Sequence, residues 1–338
     1  MVVRMADDPR RGAPVTGPGP GPADPSLAPD QFAAPWGARG YLTPLEGPVH
    51  WIEFGPGGPE APGALPLVFV HGLGGSHLNW CLIGPQLAAG RRAVALDLHG
   101  FGLTPGTRAT STVQHNTRLL DRFVREVTGT PVILAGNSMG GLISILQTSA
   151  SPDTVRGLVL IDPALPVPRR VPDRQVGSQF LMYALPGVGE FYVRSVLSRR
   201  PPQLAVQRVI DLCFADPSRI DPAMFSASIA LAAERQGQGP RARDEAFLAA
   251  SRSLMRVVGL RGRYWQMMAS VRVPVLLIGG EADRLVSVAS MRQAATRNPG
   301  WETVILPGAG HTPQLEVPDT VAGAVQDWLG RHFAPTAA

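Results

Sequence analysis

The chain has 338 residues, 44% of them hydrophobic, which is ample for one large globular domain or two small ones. No stretch approaches the about 18 consecutive apolar residues of a membrane span, and no apolar run follows the charged N-terminus as in a secretory signal, so a cytoplasmic location is expected. All 31 basic side chains are arginine against 26 acidic ones, a net of +5, and with no helix-turn-helix, zinc or aromatic–basic motif beside them nucleic-acid binding is a poor reading.

Residues 1–35 are rich in Gly, Pro, Ala and Asp and lack hydrophobic periodicity. Too little apolar surface is present to offset ordering entropy, so a disordered tail is expected. Val49–Phe54 then alternates like a half-buried strand. Pro66–Val70, Ala93–Leu98, Pro131–Ala135, Gly157–Ile161, Pro274–Ile278 and Thr303–Leu306 are short, continuous apolar runs rich in branched residues, as suits strands covered on both faces. Helical spacing lies between them, in Val113–Val127 and in a final helix from Pro318 to Gly330. Strands alternating with helices imply parallel crossover units in an α/β sandwich. Cys81 and Cys213, far apart and outside any metal-ligand spacing, are expected to be buried, reduced thiols.

One interval breaks the rhythm. From 163 to 272 no strand pattern occurs, only apolar helical stretches such as Gln179–Leu185, Gln203–Phe214 and Asp244–Leu260. The expected organisation is therefore a core of residues 36–162 and 273–338 with a helical cap at 163–272. Residues 165–272 hold 16 arginines against 8 acidic residues, a net of +8, leaving −3 for the remainder. Pairs such as Arg169/Arg170, Arg199/Arg200 and Arg241/Arg243 invite a positive rim that attracts anionic substrates or weakly holds an acidic lipid surface. Scattered solvated arginines are the plainer alternative.

After the Pro131–Ala135 strand comes Gly136-Asn137-Ser138-Met139-Gly140-Gly141, then a helix. G-x-S-x-G in a strand–turn–helix setting strains the serine backbone, lifts its hydroxyl above the sheet edge and aims a helix N-terminus at it. Ser138 is the expected nucleophile. An oxyanion hole needs two backbone N–H groups. Met139, after the serine, is one expected donor. Leu73, in the loop His71-Gly72-Leu73-Gly74-Gly75, is the other, while the His71 side chain is expected to tie down its own loop. Among seven histidines, His311 stands apart, in a Gly-rich loop after the last strand, and is the expected base. Asp283, in the loop after Pro274–Ile278 and ahead of His311, is the expected orienting acid in the order Ser…Asp…His. Asp162, ending the Gly157–Ile161 strand, and Glu281 compete for that role. Asp97 reads as a loop-structuring residue.

With these residues in hand, the chain resembles the α/β-hydrolase superfamily over roughly residues 48–333. The shared features are His71-Gly72, the D-x-x-G-x-G turn from Asp97 to Gly102, the elbow, the loop ending at Asp283 and the G-H-x-P-x-x-E-x-P stretch from Gly310 to Pro318. The resemblance implies an eight-stranded, mostly parallel sheet flanked by helices, with Ser138, Asp283 and His311 as catalytic triad and the cap shaping an acyl pocket. Dehalogenases and epoxide hydrolases of this fold carry aspartate at the elbow, where this chain has serine. The elbow is similar to that of carbon–carbon bond hydrolases acting on aromatic ring-cleavage products, but those follow the base with tryptophan and here Thr312 stands. The reading that emerges is a carboxylesterase or lipase-like serine hydrolase acting on a small-molecule ester or acyl substrate. Carbon–carbon bond hydrolysis and a non-catalytic binding protein are the alternatives. No metal or organic cofactor is implied, and the oligomeric state is unknown.

Overall fold

The computed structural model describes residues 26–28, 30–55, 60–166, 174–237 and 239–333. A single sheet of nine strands runs through it: β1 (Ser26–Leu27), β2 (Ala38–Pro44), β3 (Pro48–Phe54), β4 (Leu67–Val70), β5 (Ala93–Leu96), β6 (Val132–Asn137), β7 (Val155–Ile161), β8 (Val275–Gly280) and β9 (Glu302–Leu306). Their spatial order is β1-β2-β3-β5-β4-β6-β7-β8-β9. The pairs from β5 to β9 are all parallel, and β1, β2 and β3 form an antiparallel edge that joins through β5. This is an α/β hydrolase fold with one strand more than the eight expected.

The continuous apolar runs follow from burial on both faces. Along β4, Val68 and Val70 join one hydrophobic cluster with Trp51, Leu134, Phe123 and Leu142, while Leu67 and Phe69 join a second with Ile133, Trp80, Val159 and Trp328. Each such side chain removed from water stabilises the fold by about 1.5–3 kcal/mol. The faces are covered by α1 (Gly84–Leu87), α2 (Val113–Phe123), α3 (Met139–Ala150), α10 (Val288–Arg297), α11 (Pro313–Glu316) and α12 (Pro318–His332). The helix expected at Val113–Val127 runs as α2 and then widens into a π turn over Val124–Thr128.

Between β7 and β8 the described residues form only helices: α4 (Arg174–Ala184), α5 (Val188–Tyr192), α6 (Pro202–Cys213), α7 (Pro222–Gly237), α8 (Pro240–Gly259) and α9 (Arg261–Ser270), with short turns between them. Two of the three arginine pairs can be placed against the expected rim, and in the first of them Arg199 is exposed and Arg200 half-buried. Arg241 pairs with Glu245 and Arg243 with Asp244, so neither presents a free cation; Arg169 and Arg170 lie outside the described residues. No described helix is long and apolar enough to cross a membrane.

Two expectations need correction. The expected tail runs too far. Residues 1–25 and 29 lie outside the described residues, but Ser26–Leu27 pairs with Leu42 and Tyr41 of β2, and Asp30, Phe32 and Ala33 are buried. The reason is β2 itself: it hairpins with β3 from Ala38↔Phe54 to Pro44↔Pro48, and Tyr41 stacks on Trp51 with ring centroids 4.5 Å apart. That edge gives the preceding residues something to pair with. Both cysteines are free, but only Cys81 is buried; Cys213, at the end of α6, is half-buried.

Candidate active site

Because β6, β7, β8 and β9 are consecutive parallel neighbours, the segments leaving them emerge along one sheet edge. Ser138 follows β6, Asp162 follows β7, Asp283 follows β8 and His311 follows β9. Ser138 takes φ 54° and ψ −118°, a conformation that costs a non-glycine residue about 1–3 kcal/mol. Tight packing enforces it. A Cβ on Gly140 would stand 2.0 Å from the Val70 carbonyl oxygen, and one on Gly136 would stand 2.6 Å from the Gly140 backbone. Gly140→Ala is therefore expected to destabilise the protein by about 3 kcal/mol or more, read by chemical denaturation. Wild-type stability in that variant would mean the turn has slack.

The serine N–H donates to the Ile161 carbonyl (3.1 Å) and its carbonyl accepts from Leu142 and Ala164, which pins the residue while its half-buried side chain stays accessible. The helix that begins at Met139 runs 12 residues, so its positive end meets the hydroxyl. The loop after β4 closes on the same residue. A Cβ on Gly72 would stand 3.0 Å from the Ser138 Cβ, a tighter contact than side chains ordinarily make, and Leu73 follows at once. His71 ties this loop down: its Nδ1 bonds the Gly72 carbonyl (2.8 Å) and its Nε2 accepts the Leu98 N–H (3.1 Å). Burial lowers the His71 pKa to about 4, so the ring is neutral and holds structure rather than protons.

His311 is buried, and its Nδ1 lies 2.7 Å from Asp283 Oδ2. The other oxygen, Asp283 Oδ1, accepts the N–H groups of Leu285 (2.7 Å) and Val286 (3.1 Å), which fixes the carboxylate's rotation. The exposed Glu281 has no part in this contact. Asp162 does. It is fully buried at φ 40°, accepts the Gly280 N–H on both oxygens (3.1 and 3.0 Å), and its carboxyl is hydrogen-bonded to Asp283. Burial, then the negative charge of Asp283, hold the Asp162 pKa well above the ordinary carboxylate value. The neighbouring carboxyl thus adds to burial in favouring the protonated form of Asp162.

Two further residues escaped the sequence reading. Asn137, the variable position before the serine, donates from Nδ2 to the Ile161 carbonyl (3.0 Å) and to the His311 carbonyl (3.1 Å), so one side chain stitches the elbow to the histidine loop. Glu316 is buried and accepts N–H groups from Gly310 (2.7 Å), Ala215 (3.1 Å) and Asp216 (2.9 Å). It clamps the histidine loop to the end of α6, where the His311 N–H also meets the Cys213 carbonyl. The glutamate of the G-H-x-P-x-x-E stretch was its signal; for Asn137 the motif held none. A serine on a strained turn shares one sheet edge with an imidazole whose Nδ1 is anchored by a carboxylate, the kinds of group that nucleophilic catalysis uses.

Comparison with known proteins agrees with this fold. The model of the alpha/beta hydrolase family matches residues 67–324. The dihydrolipoyllysine-residue acetyltransferase component of the acetoin cleaving system of Pseudomonas putida is 26% identical over 319 residues, covering 89% of this chain and 75% of that protein. A 2-hydroxy-6-oxo-6-(2'-aminophenyl)hexa-2,4-dienoic acid hydrolase of Metapseudomonas resinovorans is 24% identical over 280 residues, covering 81% and 87%. Among solved structures, a haloalkane dehalogenase from Agrobacterium tumefaciens C58 superposes with TM-score 0.72 at 22% identity, covering 87% of this chain and 97% of that one, a likeness of fold alone.

Proposed function

The chain belongs to the alpha/beta hydrolase family, and from that premise we propose that it is a serine hydrolase cleaving a carboxylic ester, or a related acyl bond, of a largely apolar small molecule. Ser138 is the nucleophile, His311 the base and Asp283 the orienting acid. The observation that carries this reading is the buried 2.7 Å contact between His311 and Asp283, on a loop that Asn137 ties directly to the serine turn.

In the proposed cycle, Asp283 holds the proton on His311 Nδ1, which leaves Nε2 to take the hydroxyl proton of Ser138 as the oxygen attacks the carbonyl. The Leu73 and Met139 N–H groups receive the oxyanion. His311 then protonates the leaving alcohol, and water attacks the acyl-enzyme with the same histidine as base. Residues 163–272 act as the cap over this edge. The case for an apolar substrate rests on the cap's inner cluster of Tyr183, Val193 and Leu248 with Phe180, Tyr192 and Phe247, and on Phe247 reaching the Leu73 loop: a Cβ on Gly74 would lie 3.8 Å from its ring. A weak association with acidic lipid surfaces is part of the same reading, supported by the net +8 of residues 165–272.

Similarity to the dienoic acid hydrolase over most of the chain keeps carbon–carbon bond cleavage as the second reading, for which the same three residues would serve. A panel of p-nitrophenyl esters of graded acyl length, set against one ring-cleavage dienone, separates the two. Ester turnover is expected to exceed dienone turnover by about 100-fold or more in kcat/KM, roughly 2.7 kcal/mol of transition-state preference. The reverse ranking would hand the function to the second reading, and turnover of neither would favour a binding protein.

A further inference from the structure

Four buried side chains meet on the side of the Leu73 loop where the N-terminal edge joins the sheet: Asp30, His50 of β3, His77 and Asp97. Asp97 is fully used. Its Oδ1 accepts the His77 N–H (2.7 Å), and its Oδ2 accepts the Leu103 N–H and lies 2.8 Å from both His50 Nδ1 and His77 Nδ1. The opposite side of the cluster is unfinished. Asp30 Oδ1 accepts the N–H groups of Phe32 (2.7 Å) and Ala33 (3.2 Å), but its Oδ2 faces His77 Nε2 at 2.9 Å and His50 Nε2 at 3.4 Å without the directional geometry of a hydrogen bond. These three atoms lie within 4.8 Å of one another, on residues no more than 5% exposed. Buried polar atoms left without partners are costly, so a group that satisfies all three at once is favoured.

We propose that Asp30 Oδ2, His50 Nε2 and His77 Nε2 bind one divalent transition-metal ion, with Zn²⁺ the best match. Two imidazoles and a carboxylate suit zinc and its neighbours, whereas calcium and magnesium prefer oxygen alone. Bonds of about 2.0–2.1 Å place tetrahedral ligand atoms about 3.3 Å apart, close to the 2.9 and 3.4 Å found here. Asp97, bonded to both Nδ1 atoms, is the outer carboxylate that fixes each ring with Nε2 turned to the ion. Charge also closes: two carboxylates balance the dication while both imidazoles stay neutral. Three protein ligands leave one position to water. The ligands come from the segment before β2, from β3 and from the turn after the Leu73 loop, so the ion braces that loop from behind and takes no part in the acyl chemistry.

The test uses the full chain, treated with chelator and then titrated with Co²⁺ and, separately, Zn²⁺. About one ion per chain is expected, with visible ligand-field bands for Co²⁺ and a melting temperature that Zn²⁺ raises. Asp30→Asn and His50→Gln should each lose the bands, while Ser138→Ala keeps them. Folded wild-type protein that binds no stoichiometric ion and shows no thermal shift would overturn the site. Bands that survive in folded Asp30→Asn would overturn it equally, because the ion would then sit elsewhere. Both readouts are independent of ester turnover, so failure of the proposed activity leaves them standing.

Discussion

Ser138→Ala is expected to lower kcat for ester hydrolysis by about 10⁴–10⁶-fold and to abolish labelling by a fluorophosphonate probe. The size follows from the loss of the proposed nucleophile; oxyanion and binding stabilisation of direct water attack would be what survives. The fold should be indifferent to the change. The Ser138 side chain makes no capping bond to α3, and the turn is held by backbone contacts and by the glycines around it, all of which alanine retains. A normal melting temperature with no turnover is the expected pair of results. Labelling of the alanine protein at the wild-type rate would remove Ser138 from the mechanism.

The second large effect separates two neighbouring acids. Asp283→Asn is expected to reduce kcat by about 10⁴-fold, because an amide facing His311 Nδ1 favours the tautomer with the proton on Nε2, where it cannot act as base. Asp162→Asn should change kcat by less than about 10-fold. Its amide can donate to Asp283 as the protonated acid does, its oxygen can still accept from Gly280, and asparagine tolerates the positive φ of 40°. Stability should move the other way. The folded protein holds on Asp162 a proton that the unfolded chain releases near 3.8, so the stability tied to that proton is complete below 3.8 and is lost as pH rises toward the higher folded value. Asparagine has no proton to lose. The variant should therefore gain on the wild type as pH rises from about 4 toward neutrality, read as the difference in denaturation midpoints. If Asp162→Asn proves the more damaging to kcat at equal stability, the orienting acid has been misassigned.

Local chemistry carried much of this. The parallel strands from β4 to β8 announce themselves as branched apolar runs because both faces of each are buried, which removes most polar residues from either face. The serine turn is visible because its neighbours cannot have side chains, a constraint local enough to be written in five residues. The first two strands were hidden for the opposite reason. Ala38–Pro44 contains Gly and Pro and is a strand only because β3 lies beside it, and Ser26–Leu27 is one only because of β2. The chain order favoured Asp283 over Asp162 and Glu281, but the contact itself lay beyond local reading. All three follow sheet strands, and which carboxylate meets His311 depends on side-chain direction across adjacent loops. Contacts such as Asn137 to His311, 174 residues apart, and Asp30 to His50 and His77 have no periodicity to betray them, since they arise only when the sheet order brings distant segments together.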